Sequence, residues 1–166
     1  TSCGVSSTPP NTFNVTVTAQ NACDQSYNII GPITVSRIPT ANFTVSDSTI
    51  CTGQTVTVSN TGTSGSIVGS GPNYNCTPEG KFYWEIAGGS SPTNYTISGS
   101  LGSYNSNWGS TASNGSNPLS INFLTPGYYT IKQIYYNSCG ADTFLRNICV
   151  INPPTCQFTV LPTSGC

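Results

Sequence analysis

Charged and metal-binding side chains are scarce in this chain. Its 166 residues include no His and no Met, with four Lys plus Arg and five Asp plus Glu, so charged residues make up 5% of the sequence, against roughly 25% in an ordinary soluble domain. General acid–base and metal sites draw mainly on His, Asp, Glu and Lys. We therefore expect no enzyme active site, no cofactor and no metal ion.

The few acidic residues are also dispersed. Asp47, Glu79, Glu85 and Asp142 stand far apart in the sequence, whereas a calcium site needs six or more oxygen ligands. Solvated single carboxylates are the simpler interpretation. The net charge of −1 provides no basic surface for nucleic acid, and no apolar run reaches the ~18 residues that span a bilayer. The sequence predicts neither nucleic-acid binding nor membrane insertion.

Thr, Ser, Asn, Gly, Val, Ile and Tyr dominate instead, which is the composition of strands and turns. Period-two alternation of apolar and polar residues predicts seven strands, at residues 42–45, 55–59, 82–86, 95–97, 119–123, 129–135 and 144–151. Seven short strands without a helical period predict an all-β Greek-key sandwich. The Gly/Ser/Asn-rich stretches 60–80 and 98–118 are predicted loops, and loops of that length are unusual unless they are functional.

Eight cysteines accompany this composition. Zinc sites commonly use closely spaced Cys pairs, and none occurs here, so we expect disulfides and an oxidising, extracellular environment. The sequence shows neither an initiator Met nor a signal peptide, which favours an interior segment of a longer precursor.

The sequence repeats itself. Residues 39–51 align with 154–166 at an offset of 115, and residues 10–23 align with 126–139 at an offset of 116. This periodicity predicts a tandem array: 1–38 as the closing strands of one repeat, 39–153 as a complete repeat and 154–166 as the first strand of the next. The junctions, at residues 38–39 and 152–154, are short and contain proline, which favours stiff spacing of the modules.

Four segments of the central repeat resemble PKD-type (polycystic kidney disease) repeats, which have an immunoglobulin-like β-sandwich fold. They are residues 50–58 (ICTGQTVTV), 83–92 (YWEIAGGSSP), 126–131 (PGYYTI) and 137–140 (NSCG). The family often carries an Asp in the Gly-rich turn where this chain has Ala87-Gly88-Gly89, so a polar or calcium-binding role of that turn is not expected here.

The Cys-bearing, Thr-rich repeats are similar to the tandem PKD-like repeats of Bacteroidota cell-surface adhesins, including large gliding-motility adhesins. The resemblance implies a non-enzymatic stalk that projects an adhesive region from the cell. It implies export by the type IX secretion machinery and attachment at the cell surface or in a filament. The expected partners are neighbouring repeats of the same chain, surface polysaccharide or other adhesin chains. A carbohydrate-binding module and an accessory domain of a secreted hydrolase are the alternatives.

An immunoglobulin-like topology limits the disulfide pairings. It places the loops after the second and sixth strands at the same end, which favours Cys76–Cys139, and the repeat register favours Cys3–Cys23. Cys149 and Cys156 have no counterparts at the earlier junction, which favours a bond between them across the junction. A Cys51–Cys149 bond competes with it, and Cys166 is left to pair elsewhere.

Two further groups of residues are candidate sites. Asp47-Ser48-Thr49 matches the O-glycosylation signal of Bacteroidota and Asp142-Thr143-Phe144 matches it loosely, which makes Ser48 and Thr143 candidates for glycosylation under that resemblance. The loop aromatics could contact glycans or could hold their loops against the sandwich; they are Trp108, Tyr104 and Tyr74.

Overall fold

The structure is a computed structural model that describes residues 12–23, 26–69, 76–104 and 113–159. Strands are the only regular secondary structure in these residues. In chain order they are β1 (Thr12–Gln20), β2 (Ser26–Thr34), β3 (Phe43–Val45), β4 (Thr49–Cys51), β5 (Thr55–Asn60), β6 (Gly65–Val68), β7 (Cys76–Glu79), β8 (Lys81–Ala87), β9 (Tyr95–Ser98), β10 (Leu119–Phe123), β11 (Gly127–Asn137) and β12 (Gly140–Ile151). In the part of the chain that is described, no helix is long and apolar enough to cross a membrane.

Two four-stranded sheets form the body of the molecule. One has the order β3-β5-β10-β9 and the other the order β4-β12-β11-β8. All the neighbouring strands are antiparallel except β4, which runs parallel to β12 after the chain has crossed from the first sheet to the second. This is the strand order of an immunoglobulin-like sandwich. The all-β, immunoglobulin-like part of the prediction is confirmed.

Alternate residues of both sheets fill the space between them. Phe43 of β3 lies edge-on to Trp84 of β8 with ring centroids 5.2 Å apart, and Phe123 of β10 packs against Tyr129 of β11 at 4.6 Å. Trp84 is only 2% exposed, and burial of each such side chain stabilises the fold by about 1.5–3 kcal/mol. Trp84 lies in the core, as its alternation predicted, although β8 is the edge strand of its sheet and not a central one.

Tyr129 also fixes the start of β11. Its hydroxyl donates a hydrogen bond to the carbonyl oxygen of Thr125 at 2.9 Å, and the Thr125 hydroxyl lies 2.7 Å from the Tyr129 hydroxyl oxygen. A tyrosine near the start of this strand that bonds back to the preceding backbone is a recurrent feature of immunoglobulin-like domains. The ring is therefore anchored both by the core and by its polar end.

All seven predicted strands are present, and the structure adds three within the central segment. The short strand β4 and the hairpin β6–β7 went unrecognised, the hairpin because it lies inside the predicted loop 60–80. Gly, Ser and Pro are frequent in these residues, and such composition normally marks a loop. The two segments nevertheless pair as antiparallel strands, in a register that places Gly65 opposite Glu79 and Val68 opposite Cys76.

The strands β1 and β2 form a separate two-stranded antiparallel sheet. Among the described residues no third strand pairs with either of them. The segment 35–42 connects this hairpin to β3 and the sandwich.

The predicted disulfides are not found among the described residues. Cys23, Cys51, Cys139, Cys149 and Cys156 are all free. Cys51 lies opposite Ile151 and Cys149 opposite Thr49 on the paired strands β4 and β12. A stagger of two residues is about 6.6 Å along strands that lie about 4.8 Å apart, which puts the Cα atoms of Cys51 and Cys149 about 8 Å apart, beyond the ~7 Å that a disulfide can bridge.

The Cys149–Cys156 bond is likewise absent. The chain leaves β12 after Ile151 and makes no turn before Thr159 that would bring Cys156 back to the strand. Cys23 and Cys139, the expected partners of Cys3 and Cys76, are exposed and free. Cys3, Cys166 and the side chain of Cys76 lie outside the described residues.

Candidate functional site

The connection between the β1–β2 hairpin and the sandwich is held along its backbone. Arg37 exchanges two hydrogen bonds with Ser66 of β6, at 2.8 and 3.0 Å, and Thr40 exchanges two with Thr63, at 3.0 and 2.9 Å. The amide of Val68 donates to the hydroxyl of Ser36 at 3.1 Å. We call residues 36–41 the junction segment. It is bonded as an additional strand piece beside the β6–β7 hairpin.

Asn137 at the end of β11 joins the junction segment to two other elements. Its side chain is 7% exposed, and its Nδ2 donates to the carbonyl of Arg37 at 2.8 Å and, more weakly, to that of Glu79 at 3.4 Å. Its Oδ1 accepts a hydrogen bond from the amide of Cys139 at 2.9 Å. One buried amide therefore ties together the junction segment, β7 and the β11–β12 turn.

Asp142 holds the other end of the junction segment. Its Oδ2 accepts a hydrogen bond from the amide of Ala41 at 2.9 Å, and its Oδ1 accepts one from the amide of Thr143 at 2.9 Å. A carboxylate that accepts hydrogen bonds from backbone amides forms a charge-assisted contact, which is stronger than a neutral one. The chain is thus fixed at the point where it enters the core beside Phe43.

The junction segment approaches β6 closely, and glycine permits this approach. A Cβ atom on Gly65 would collide with the carbonyl oxygen of Arg37 and with Nδ2 of Asn137. A Cβ atom on Gly62 would lie 2.5 Å from the carbonyl oxygen of Thr40. These two glycines therefore belong to the site as much as its hydrogen-bonding side chains do.

A buried amide network lies next to the junction segment. Gln133 is fully buried; its Oε1 accepts from the amide of Asn42 and its Nε2 donates to Oδ1 of Asn60, both at 2.9 Å. The same Asn60 oxygen accepts from the amide of Gly62 at 2.9 Å. The network connects β11 of one sheet to β5 and to the start of β3 in the other, so it fixes how the two sheets meet.

A second feature is a cluster of three tyrosines on the outer face of the second sheet. The rings of Tyr104 and Tyr136 are 4.9 Å apart, and Tyr83 lies 6.1 and 6.0 Å from them. Tyr136 is buried and its hydroxyl donates to the carbonyl of Ser103 at 3.0 Å, whereas Tyr104 is 58% exposed. Burial, and next the nearby Glu85 carboxylate, raise the pKa of Tyr83. This arrangement leaves one accessible ring supported from beneath.

The structure describes three of the residues predicted as glycan-contact or glycosylation sites. Tyr104 is on the surface, and Ser48 and Thr143 are exposed, so their glycosylation stays a prediction. Trp108 and Tyr74 lie outside the described residues. Within the described residues, no group of three or more His, Cys, Asp or Glu side chains could hold a metal ion. Glu85 instead pairs with Lys132 at 3.0 Å on the surface.

Sequence reasoning missed the roles of Asn137 and Asp142. The 137–140 turn was visible as a family resemblance, but its contact with Arg37 joins residues 100 positions apart. The repeat offset offered the available signal, because Asn21 occupies the place of Asn137 in the preceding hairpin.

Comparisons with known proteins add little to this picture. No protein-family model matches the chain, and no curated protein matches it. One of seven matching solved chains is the full ectodomain (Ig1–Ig3) of mouse nectin-like molecule 4, with 18% sequence identity and a TM-score of 0.42. The match covers 85% of this chain and 41% of that one. The immunoglobulin-like assignment therefore rests on the strand order and register of the chain itself.

Proposed function

We propose that this chain is a non-enzymatic structural segment of a secreted cell-surface adhesin, in which sandwich modules follow one another at fixed angles and project an adhesive region from the cell. The observation that carries the proposal is the junction segment, whose backbone is hydrogen-bonded to Ser66 and Thr63 and whose ends are held by Asn137 and Asp142. A flexible linker would be solvated along its length. A connection bonded at this many points transmits orientation and force.

Composition supports the extracellular setting. Charged residues make up 5% of the chain, so its polar surface groups are mainly hydroxyls and amides. The described residues suit a load-bearing element, because the side chains of Asn137, Asp142 and Gln133 form hydrogen bonds between elements. The resemblance to Bacteroidota repeats supports attachment, gliding motility and type IX export as the cellular context of this proposal.

The stiffness of the junction can be measured by NMR relaxation of the full chain. We expect the backbone amides of residues 15–20 and 26–29 to report the same rotational correlation time as the amides of the sandwich. Asn137→Ala should shorten the correlation time of the hairpin alone, while Asn147→Ala, whose side chain bonds only to Thr130 on the surface, should leave it unchanged. Independent tumbling of the hairpin in the unaltered chain would refute a rigid stalk.

The tyrosine cluster supports a second candidate function, the binding of carbohydrate. Exposed aromatic rings are suitable surfaces for sugar rings, and Tyr104 is such a ring held in place by Tyr136. A polysaccharide panel tests this function. Binding that is lost in Tyr104→Ala and kept in Tyr128→Ala, which removes another exposed ring, would support it, and a clean negative across the panel would exclude it.

A further inference from the structure

One face of the β1–β2 hairpin is apolar and open to solvent. Val15, Val17, Tyr27 and Ile29 are 42%, 60%, 69% and 57% exposed. Val17 lies directly opposite Ile29, so these side chains belong to the same face because alternate residues of paired strands point the same way. Thr16, Thr18 and Asn28 occupy the other face. An isolated hairpin of this kind is only marginally stable in water. Burial of its apolar face against another surface would stabilise it.

The same arrangement occurs in β11–β12, where the partner is visible. The hairpin pairs Val17 with Ile29, and β11–β12 pairs Gln133 with Phe144. These are equivalent positions under the offsets of 116 for the first strand and 115 for the second. The agreement holds along both strands, since Gln20 opposite Ser26 corresponds to Tyr136 opposite Ala141.

The turns of the two hairpins agree as well. In the first, Oδ1 of Asn21 accepts a hydrogen bond from the amide of Cys23 at 3.0 Å; in the second, Oδ1 of Asn137 accepts one from the amide of Cys139 at 2.9 Å. The first turn is one residue longer, which accounts for the change of offset between the strands.

The face of β11–β12 that corresponds to the open face is covered by the opposite sheet. Ile131, the counterpart of Val15, is fully buried. Phe144, the counterpart of Ile29, packs edge-on against Phe43 with ring centroids 5.5 Å apart. Both covering strands, β3 and β5, precede β11 in the chain.

We propose that the open face of the β1–β2 hairpin docks onto a second sheet with the order and chemistry of β3-β5-β10-β9, carried by the same polypeptide ahead of the hairpin, and so closes another sandwich. The proposal rests on the proposed function and names the partner of the hairpin within the array. The partner differs from β3-β5-β10-β9 at one point: it is apolar opposite Val17, because Val17 stands where Gln133 makes its two amide hydrogen bonds.

The test replaces residues 1–9 with a second copy of the covering strands of this chain. Residues 39–125 are placed directly ahead of residue 10, where the repeat alignment continues from 125 into the hairpin. We expect hydrogen exchange at residues 15–20 and 26–29 to slow by about 100-fold relative to the unextended chain, because closed core strands open rarely. Val17→Asp should abolish this protection, whereas Thr18→Asp on the opposite face should keep most of it.

A further variant tests whether Val17 leaves polar groups of the added strands without hydrogen-bond partners. Val17→Gln restores the amide that the Asn42 and Asn60 positions engage in the complete module. If neither the extended chain nor its Val17→Gln variant gains protection, the proposal is overturned. It is also overturned if protection in the unextended chain rises with concentration and is lost in Val17→Asp, because the partner is then a second copy. The relaxation test of the junction segment is independent of both results, so the two proposals fail separately.

Discussion

The side-chain amide of Asn137 donates a hydrogen bond of 2.8 Å to the carbonyl of Arg37, across 100 positions of sequence. The bond is almost completely withdrawn from solvent at Asn137, which is 7% exposed. It links the turn between the last two strands of the sandwich to the segment that precedes the first. A single side chain thereby couples the junction to the fold of the module.

Replacing Asn137 with Ala should therefore lower the free energy of unfolding. Truncation removes the hydrogen bonds that Asn137 makes to the Arg37 carbonyl and to the Cys139 amide, and each such bond contributes about 0.5–1.5 kcal/mol. Chemical denaturation followed by tryptophan fluorescence measures this loss. Asn147→Ala is the matched control and should change the stability by less than about 0.5 kcal/mol. Equal effects of the two substitutions would contradict the role given to Asn137.

The anchoring hydroxyl of Tyr129 should contribute measurably to stability. Tyr129→Phe keeps the ring in the core and removes its hydrogen bonds to the carbonyl and the hydroxyl of Thr125, at an expected cost of about 0.5–1.5 kcal/mol for each bond. Tyr128→Phe removes the hydroxyl of the adjacent tyrosine, which is 80% exposed, and should have no measurable effect. Thermal unfolding of both variants decides the matter, and a neutral Tyr129→Phe would be the contrary result.

Gln133→Leu should destabilise the module even though it makes the core more apolar. The substitution leaves the Asn42 amide without the Gln133 oxygen and Asn60 without the donor from Gln133, and we expect a loss of about 1–3 kcal/mol. Lys132→Gln, on the opposite face of the same strand, breaks only the surface pair with Glu85 and should cost less than about 1 kcal/mol. A stabilising Gln133→Leu would show that the network is dispensable.

Stability should fall at alkaline pH. Burial raises the pKa of Tyr135, with the Asn60 hydrogen bond opposing it, and burial raises the pKa of Tyr83. The unfolded chain releases these protons near pH 10, while the folded chain retains them. The stabilisation is thus complete below about pH 10 and is lost as the pH rises through the raised folded-state values. Denaturation midpoints between pH 8 and 11.5 should fall less steeply in Tyr135→Phe; parallel curves would contradict this.

The free cysteines give a direct chemical test. Cys23 and Cys139 are exposed and unpaired, and Cys51 and Cys149 are half-buried and unpaired. Alkylation of the native, unreduced chain should modify Cys23 and Cys139 first and Cys51 and Cys149 more slowly, because access limits the thiol reaction. Peptide mass spectrometry identifies the sites. A Cys51–Cys149 disulfide recovered from the folded chain would contradict the two-residue stagger between β4 and β12.

The strands were predictable because their signal is local. Alternation in residues 82–86 places Phe82, Trp84 and Ile86 on one face whatever the rest of the chain does, and the structure has β8 there. The hairpin β6–β7 was not predictable in this way, since its Gly, Ser and Pro residues carry turn signals. Its pairing is stabilised by the junction segment, in which Arg37 exchanges two backbone hydrogen bonds with Ser66 of β6.

The cysteines likewise show what local sequence predicts and what depends on the fold. Their number and the composition around them led to the prediction of a disulfide framework, but bridging depends on Cα separations that the sequence does not contain. The register of β4 against β12 places Cys51 beside Ile151 and leaves the two thiols staggered.

The sequence by itself determined the all-β class, the seven main strands and the aromatic core around Trp84, because period-two alternation is written into consecutive residues. It also carried the 115–116-residue offset. Only the tertiary structure decided which distant groups meet: Asn137 with Arg37, Asp142 with Ala41, and Gln133 with Asn42 and Asn60. The physical reason is that a hydrogen bond requires atoms within about 3 Å of each other, and for residues so far apart in sequence that proximity is set by the packing of the two sheets.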